Sequence, residues 1–216
     1  LLDSIIEILK EKASEGVEVR FMYDGMCPFN GIPYDYPETL KKYGIKAKMF
    51  SPVKAIISTY QNNRDHRKIV VIDGNIAYTG GVNLADEYVN KKIRFGVWKD
   101  TAIKIKGNAV NSFTTMFLEM WNVDEKNNEN YEPYITQNKT TKNGFIMPYG
   151  DNPLDGEPVG KNVYMDIINN AKEYVYISTP YLIPDDELLS AIKYASKKGI
   201  DVRIIMPHIP DKKLVY

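Results

Sequence analysis

One short window of the sequence carries the side chains that phosphate chemistry needs. It contains His66, Lys68, Asp73, Gly80, Gly81 and Asn83. An imidazole is a competent nucleophile and proton-transfer group near neutral pH. An ammonium group held two residues away stabilises negative charge on a phosphoryl oxygen. The window therefore predicts a site for phosphoryl transfer, a reaction that mainly requires positioning, charge stabilisation and a nucleophile.

A β-hairpin is the element that we expect to position these side chains. The β-branched run 68–73 ends in Asp73-Gly74, and residues 76–79 are its predicted antiparallel partner. Side chains two residues apart leave the same face of a strand, so His66 and Lys68 can meet one anion together. Asp73 lies seven residues from His66, so direct pairing of the two is not expected on a straight strand.

Three residues after the hairpin complete the predicted site. Gly80 and Gly81 lack a Cβ atom and therefore permit close approach of a ligand to the backbone. Asn83 offers a side-chain amide to a phosphate oxygen or to a neighbouring residue of the site. These three residues are therefore candidates for substrate binding.

The spacing of these residues resembles a known motif. The pattern His66-x-Lys68-(x)4-Asp73-(x)6-Gly80-Gly81-x-Asn83 is similar to the HKD motif of the phospholipase D superfamily. The flanking segments, 63–68 and 80–88, resemble those of bacterial-type cardiolipin synthases. The similarity continues through Trp98-Lys-Asp100 and Pro180-Tyr-Leu-Ile-Pro-Asp-Asp186, and so extends over nearly the whole chain.

The resemblance implies a mechanism and a role for each motif residue. In the family, one motif histidine attacks the phosphodiester to form a phosphohistidine, and the histidine of a second motif acts as general acid and then general base. By position His66 is one of the two histidines, conventionally the nucleophile. Lys68 and Asn83 are expected to bind the phosphate, and Asp73 to support the site. The resemblance implies no metal ion and no other cofactor.

The implied substrate is an anionic phospholipid. Transfer of a phosphatidyl group between two phosphatidylglycerol molecules gives cardiolipin and glycerol. The parent protein is then expected at the cytoplasmic membrane, in contact with the membrane surface. The sequence of this chain has no run of 18 apolar residues, so we expect the chain itself to be soluble.

Composition narrows the classes of protein further. The 216 residues include 28 Lys and Arg against 28 Asp and Glu, and this zero net charge argues against a nucleic-acid partner. The single cysteine, Cys27, excludes an intrachain disulfide and a cysteine-built zinc site. Only two histidines, His66 and His208, are present, so histidine chemistry must rest on very few side chains.

Alternating strand and helix patterns predict an α/β fold. With the resemblance, this becomes a phospholipase D/nuclease-like mixed β-sheet flanked by helices, with one repeat plus the start of a second. Predicted helices lie at 1–15, 37–43, 109–121, 163–171 and 185–198. Predicted strands lie at 17–23, 45–50, 68–73, 76–79, 101–106, 174–178 and 200–206.

An internal repeat supports the division into domains. A shift of 183 residues aligns Gly16-Val-Glu-Val-Arg-Phe21 with Gly199-Ile-Asp-Val-Arg-Ile204. We therefore expect a first repeat over 1–123 with its first strand missing, a linker over 124–160, and the start of a second repeat over 161–216.

The repeat also predicts where a second motif belongs. The counterpart of His66 falls near position 249, beyond the chain, and His208 aligns with Gly25 rather than with His66. Because family enzymes use two motifs, this chain alone is expected to be inactive or very weakly active. The missing second repeat, or a homodimer that pairs two copies of His66, would complete the site.

Two other functions stay open at this level. A phosphodiesterase or nuclease of the same superfamily would use the same phosphohistidine. A fragment that binds lipid or phosphate without turnover would keep the same residues but lack the second motif. The zero net charge counts against the nuclease, and the intact His66, Lys68 and Asp73 count against a parent protein without activity.

Overall fold

The chain folds into two compact units. A computed structural model describes residues 1–53, 64–127, 129–137, 144–152 and 155–209. The first unit comprises Leu1–Lys92 and Trp98–Pro148, and the second comprises Ile93–Val97 and Tyr149–Tyr216. Their assignment to a first and a second repeat stays a prediction.

The first unit begins with a helix-and-strand layer. Its elements are α1 (Leu2–Ser14), β1 (Arg20–Asp24), α2 (Tyr36–Lys41) and β2 (Lys46–Phe50). The strands β1 and β2 pair in parallel because α2 carries the chain back across the layer. Apolar side chains of the two helices and of the residues directly before the two strands form its core: Ile6, Val19, Leu40 and Ile45.

The first strand starts later than its residue pattern predicts. The run 17–23 was expected to be extended, but β1 begins at Arg20. The Val17 N–H instead donates to the Lys12 carbonyl at 3.1 Å, and Gly16 takes a left-handed φ of 91°. These features end α1, so residues 16 and 17 belong to its C-terminal cap and not to the strand.

The second layer of this unit contains the predicted hairpin, which is confirmed. Its elements are β3 (Ile69–Ile72), β4 (Ile76–Gly80), β5 (Ala102–Lys106) and α3 (Val110–Asn122). The three strands pair antiparallel in the order β3-β4-β5. Asp73 and Gly74 both have positive φ, 52° and 61°, and the Asn75 N–H donates to the Ile72 carbonyl at 3.0 Å. An Asp-Gly pair suits this turn because both positions require left-handed backbone.

The sheet arrangement differs from the single mixed sheet that was expected. Among the described residues, strand pairing gives separate sheets: the parallel pair β1-β2 and the antiparallel triple β3-β4-β5 in the first unit. Parallel pairing follows the helical connection, whereas a short turn between β3 and β4 forces antiparallel pairing. The α/β content was therefore predictable, but the way the strands group into sheets was not.

The second unit is a small βαβ arrangement with one preceding helix. It contains α4 (Val159–Asn170), β6 (Tyr174–Ser178), α5 (Asp186–Lys197) and β7 (Asp201–Ile205). The strands β6 and β7 are parallel, as expected for strands joined by a helix. The Asp185 side chain caps α5 by accepting the Leu188 N–H at 2.9 Å. The core of the second unit is formed by Ile168, Val175, Ala191, Ile192, Ala195 and Ile200.

Part of the segment predicted as a linker packs on the first unit. Thr136 exchanges hydrogen bonds with the side chain of Asn111 in α3, at 3.1 and 2.9 Å. The Thr136 hydroxyl also donates to the carbonyl of Gly74, in the turn of the hairpin, at 2.6 Å. Arg20 of β1 forms a two-pronged ion pair with Glu129, at 2.8 and 2.6 Å. Residues 129–137 therefore hold β1, α3 and the hairpin turn together.

The Arg20–Glu129 pair makes the stability of the first unit sensitive to acid. Hydrogen bonds from Arg20 lower the pKa of Glu129 to about 2. A lowered carboxylate pKa stabilises the fold above the unfolded value of about 4.5, and this contribution is lost as the pH falls toward 2. We expect the Glu129→Gln variant to be less stable at pH 7 and to lose less stability on acidification to pH 3.

Urea unfolding of both proteins at pH 7 and pH 3 measures this difference. Glu132→Gln is the matched control, because Glu132 is an exposed carboxylate of the same segment. A wild type and a Glu129→Gln variant that lose equal stability between the two pH values would contradict the prediction.

Candidate active site

His66 and Lys68 contact each other directly in front of β3. The Lys68 Nζ lies 3.0 Å from Nδ1 and 3.1 Å from Nε2 of His66, and it donates to the His66 carbonyl at 2.7 Å. A ring nitrogen accepts from an ammonium group only when it carries no proton, so this contact suits a neutral imidazole. The His66 ring is exposed, whereas Lys68 is half-buried. The arrangement presents a potential nucleophile to solvent beside a fixed positive charge.

The pair lies on one side of the chain although the strand begins only at Ile69. Asp65 and Arg67 alternate with His66 and Lys68 along the chain, and they pair with each other. The Arg67 guanidinium donates to both Asp65 carboxylate oxygens, at 2.9 and 3.0 Å, and the Arg67 N–H donates to one of them at 3.1 Å. Positions 65 and 67 therefore pair with each other, as positions 66 and 68 do.

Burial sets the electrostatic character of Lys68. Removal from water lowers the pKa of the Lys68 ammonium, and the carboxylates of Asp65 and Asp100 act in the opposite direction. The net pKa is below the ordinary lysine value. A partly desolvated ammonium interacts more strongly with an anion than one in bulk water, because the local dielectric constant is lower. Lys68 is thus suited to stabilise charge on a phosphoryl group.

The two glycines allow the segment that leads into β5 to approach the backbone of β4 closely. Gly80 faces Ala102 across the β4-β5 pairing, and the Gly81 N–H donates to the Thr101 carbonyl at 3.2 Å. A Cβ atom on Gly80 would lie 2.5 Å from the Thr101 carbonyl oxygen, and one on Gly81 would overlap the Asp100 carboxylate. Residues 66–83 are called the HKD segment below. Glycine at positions 80 and 81 lets Asp100 lie close to the backbone of this segment.

Asn83 is held by an aromatic pair. Its Nδ2 donates to the hydroxyl of Tyr88 at 2.7 Å. The Tyr88 ring packs on the Trp98 indole with ring centroids 4.4 Å apart. The indole N–H of Trp98 donates to Asp100 at 3.1 Å, and the other carboxylate oxygen of Asp100 accepts the Thr101 N–H at 2.8 Å. These contacts connect Asn83 to Asp100, one of the two acids near Lys68.

Asn90 fixes the backbone of Trp98. The Asn90 side chain donates to the Trp98 carbonyl at 2.8 Å and accepts the Trp98 N–H at 2.7 Å. Asn90 itself has a left-handed φ of 57°, a conformation that asparagine tolerates better than most residues. The indole of Trp98 is therefore positioned by both its backbone and its ring contacts.

Asp73 is not brought to the His66–Lys68 pair. It lies in the exposed turn at the other end of β3, and five residues of extended chain separate it from Lys68 by about 16 Å. Its role in the site stays a prediction.

Asp100, Tyr88 and Trp98 join the site without having been assigned to it from the sequence. Trp98 and Asp100 belong to a segment that carries the family resemblance, but nothing in their spacing places them near Lys68. Only the pairing of β5 with β4 brings this segment alongside residues 80 and 81.

Two further features concern membranes and metals. Within the ranges that the structure describes, no helix is both long enough and apolar enough to cross a membrane. In the same ranges, no group of three or more His, Cys, Asp or Glu side chains is arranged to hold a metal ion.

Known proteins resemble this chain over nearly its whole length. It is 55% identical over 214 residues to an uncharacterized protein of Streptococcus mutans, covering 98% of this chain and 46% of that protein. It is 39% identical over 217 residues to a cardiolipin synthase of Alkalihalophilus pseudofirmus, covering 99% of this chain and 43% of that enzyme. It is 38% identical over 215 residues to a cardiolipin synthase of Halalkalibacterium halodurans, covering 98% of this chain and 42% of that enzyme.

The chain spans less than half the length of these curated relatives. A family model described as "Cardiolipin synthase, PLD-like domain" matches residues 2–121 and 164–215. The first of these ranges contains the HKD segment, with His66 and Lys68 in contact. On this match, the chain belongs to the cardiolipin synthase PLD-like domain family.

Proposed function

We propose that this chain is part of a phosphatidyltransferase that makes cardiolipin and glycerol from two molecules of phosphatidylglycerol. The observation that carries the proposal is the contact of the Lys68 Nζ with the His66 ring, 3.0 Å from Nδ1. It joins an exposed imidazole to a half-buried cation, the two groups that attack on an anionic phosphodiester requires. Family membership supplies the substrate class.

In the first step, a ring nitrogen of neutral His66 attacks the phosphorus of phosphatidylglycerol. The N–P bond forms and the bond from phosphorus to the headgroup glycerol oxygen breaks. A general acid gives its proton to the departing oxygen, so that glycerol leaves and a phosphatidyl-histidine remains. Lys68 stabilises the charge on the equatorial oxygens as this happens.

In the second step, the terminal hydroxyl of another phosphatidylglycerol attacks the same phosphorus. The P–O bond of cardiolipin forms, the N–P bond breaks, and His66 returns to its starting state. The hydroxyl proton passes to the group that acted as acid in the first step, which now acts as base.

A second histidine is the natural candidate for that acid and base. This sequence contains one His-x-Lys pattern, at His66 and Lys68. We propose that the partner histidine comes from a second motif, either in a further repeat or in a second copy of the chain. The lipid substrate places the reaction at a membrane surface, and the proposed chemistry uses no cofactor.

The remaining motif residues take supporting roles in this proposal. Asn83 donates its second amide N–H to a phosphate oxygen, since its first is donated to Tyr88. Gly80 and Gly81 shape the site indirectly, because the space that a Cβ atom would fill is taken by the Thr101 carbonyl and the Asp100 carboxylate. Asp73 supports the hairpin that carries the site rather than touching the phosphate.

A product assay tests this function. The full-length protein is incubated with vesicles of phosphatidylglycerol labelled in the headgroup glycerol and in the phosphate. We expect one glycerol released for each cardiolipin formed. Phosphatidic acid in place of cardiolipin would establish a hydrolase, cleavage of nucleic acid without a lipid product would establish a nuclease, and binding without turnover would establish a lipid-binding protein. Each of these three results contradicts the proposal.

A further inference from the structure

The hydroxyl of Tyr88 contacts Asn83, a side chain that the proposed reaction places at the phosphate. It accepts a hydrogen bond from Asn83 Nδ2 at 2.7 Å, and both side chains are half-buried. We infer that Tyr88 is a positioning residue that aims the Asn83 amide at a phosphate oxygen. The inference rests on the proposed function only in taking the ligand to be a phosphate group.

An asparagine amide needs such a restraint to serve as an anion ligand. Rotation about its last side-chain bond is soft, and a half turn exchanges the donating NH₂ for the carbonyl oxygen. A carbonyl oxygen directed at a phosphate repels it. In the orientation that the structure shows, one N–H is donated to Tyr88, which restrains the amide, and the second N–H stays available to the ligand.

The Tyr88 ring is itself held by Trp98. It packs on Trp98, whose backbone is fixed by Asn90 and whose indole donates to Asp100. Asp100 acts electrostatically on Lys68. Contacts therefore run from Asn83 through Tyr88 and Trp98 to Asp100. Loss of the Tyr88 hydroxyl should release Asn83 while leaving the ring packing intact.

The Tyr88→Phe variant isolates the hydroxyl. We expect it to bind inorganic phosphate about five-fold more weakly in calorimetric titration of the full-length protein. The thermal midpoint should fall by no more than about 4 °C, because the ring contact with Trp98 is kept. In an Asn83→Ala background the same substitution should change phosphate affinity by less than two-fold, since the residue through which Tyr88 acts is gone. Tyr43→Phe is the control, because Tyr43 lies after α2 and its ring contacts the ammonium group of Lys10 rather than a residue of the site.

The outcomes separate this inference from the proposed function. Equal phosphate affinity of wild type and Tyr88→Phe, or an undiminished effect in the Asn83→Ala background, overturns the inference. Absence of phosphate binding by the wild type also overturns it, because no anion site would then exist to be positioned. Tyr88-dependent phosphate binding in a protein that makes no cardiolipin upholds the inference and refutes the proposed lipid reaction.

Discussion

The His66→Ala variant is expected to lose phosphatidyl transfer by at least about 10⁴-fold. Without the imidazole, the nucleophile that we propose for the covalent phosphatidyl intermediate is gone. Water or a lipid hydroxyl would then have to attack directly, without the advantage of an intramolecular nucleophile. Because the His66 side chain is exposed, the variant should fold with wild-type stability.

Two measurements decide this prediction. Cardiolipin formation is followed in the full-length protein, and the wild type is trapped with labelled phosphatidylglycerol to detect an alkali-stable, acid-labile phosphate bond to the protein. His208→Ala is the matched control, since His208 is the other histidine of the chain and is exposed after β7. Cardiolipin synthesis that survives in His66→Ala would refute the phosphohistidine mechanism.

The Lys68→Met variant is expected to lose about 10²- to 10³-fold in kcat, comparable to the loss of one oxyanion donor. Methionine keeps the length of the side chain but cannot neutralise charge on the phosphoryl oxygens. Lys68→Arg keeps the charge, yet its planar guanidinium cannot reproduce the contact of Nζ with both the His66 ring and its carbonyl. We therefore expect the arginine variant to lie between the wild type and Lys68→Met.

Stability should change in the opposite direction to activity. Burial lowers the pKa of Lys68, which means that the folded state disfavours its charge. A cation with a lowered folded pKa destabilises the protein at every pH below that value, and the cost disappears as the pH rises to the unfolded value near 10.5. Lys68→Met should thus be more stable than the wild type at pH 7, and the difference should shrink toward pH 10.

Urea unfolding at pH 7 and pH 10 measures this effect together with the kinetic assay. Lys106→Met is the control, because Lys106 is an exposed lysine of β5. A Lys68→Met variant that keeps kcat within a few-fold of the wild type would show that the ammonium does not act on the transferred group. A variant less stable than the wild type at pH 7 would show that the contact with His66 outweighs the cost of burial.

The local elements were predictable because their signals are local. Apolar spacing fixed α1 and α3, and the Asp-Gly pair fixed the turn between β3 and β4. The contact of His66 with Lys68 follows from alternation along an extended chain, although the strand itself starts one residue later than predicted.

Features that depend on distant segments were not predictable in the same way. Asp100 reaches the site through the β4-β5 pairing, and no spacing rule connects it with Lys68. The grouping of strands into separate sheets depends on which layers pack together, which composition does not encode. Residues 129–137 looked like a linker because they are polar, but the Glu129 carboxylate binds Arg20, and the backbone and hydroxyl of Thr136 bind Asn111 and the Gly74 carbonyl.

The hydrogen bond from Thr136 to Gly74 has a consequence for the order of events during translation. The two residues are 62 positions apart. At about 5 to 20 residues per second, a ribosome needs about 3 to 12 s to synthesise the intervening chain. During that time the hairpin that carries His66 and Lys68 must hold its turn without Thr136. The left-handed backbone of Asp73 and Gly74 favours this turn locally. The turn can therefore form in the nascent chain before the segment with Thr136 has been synthesised.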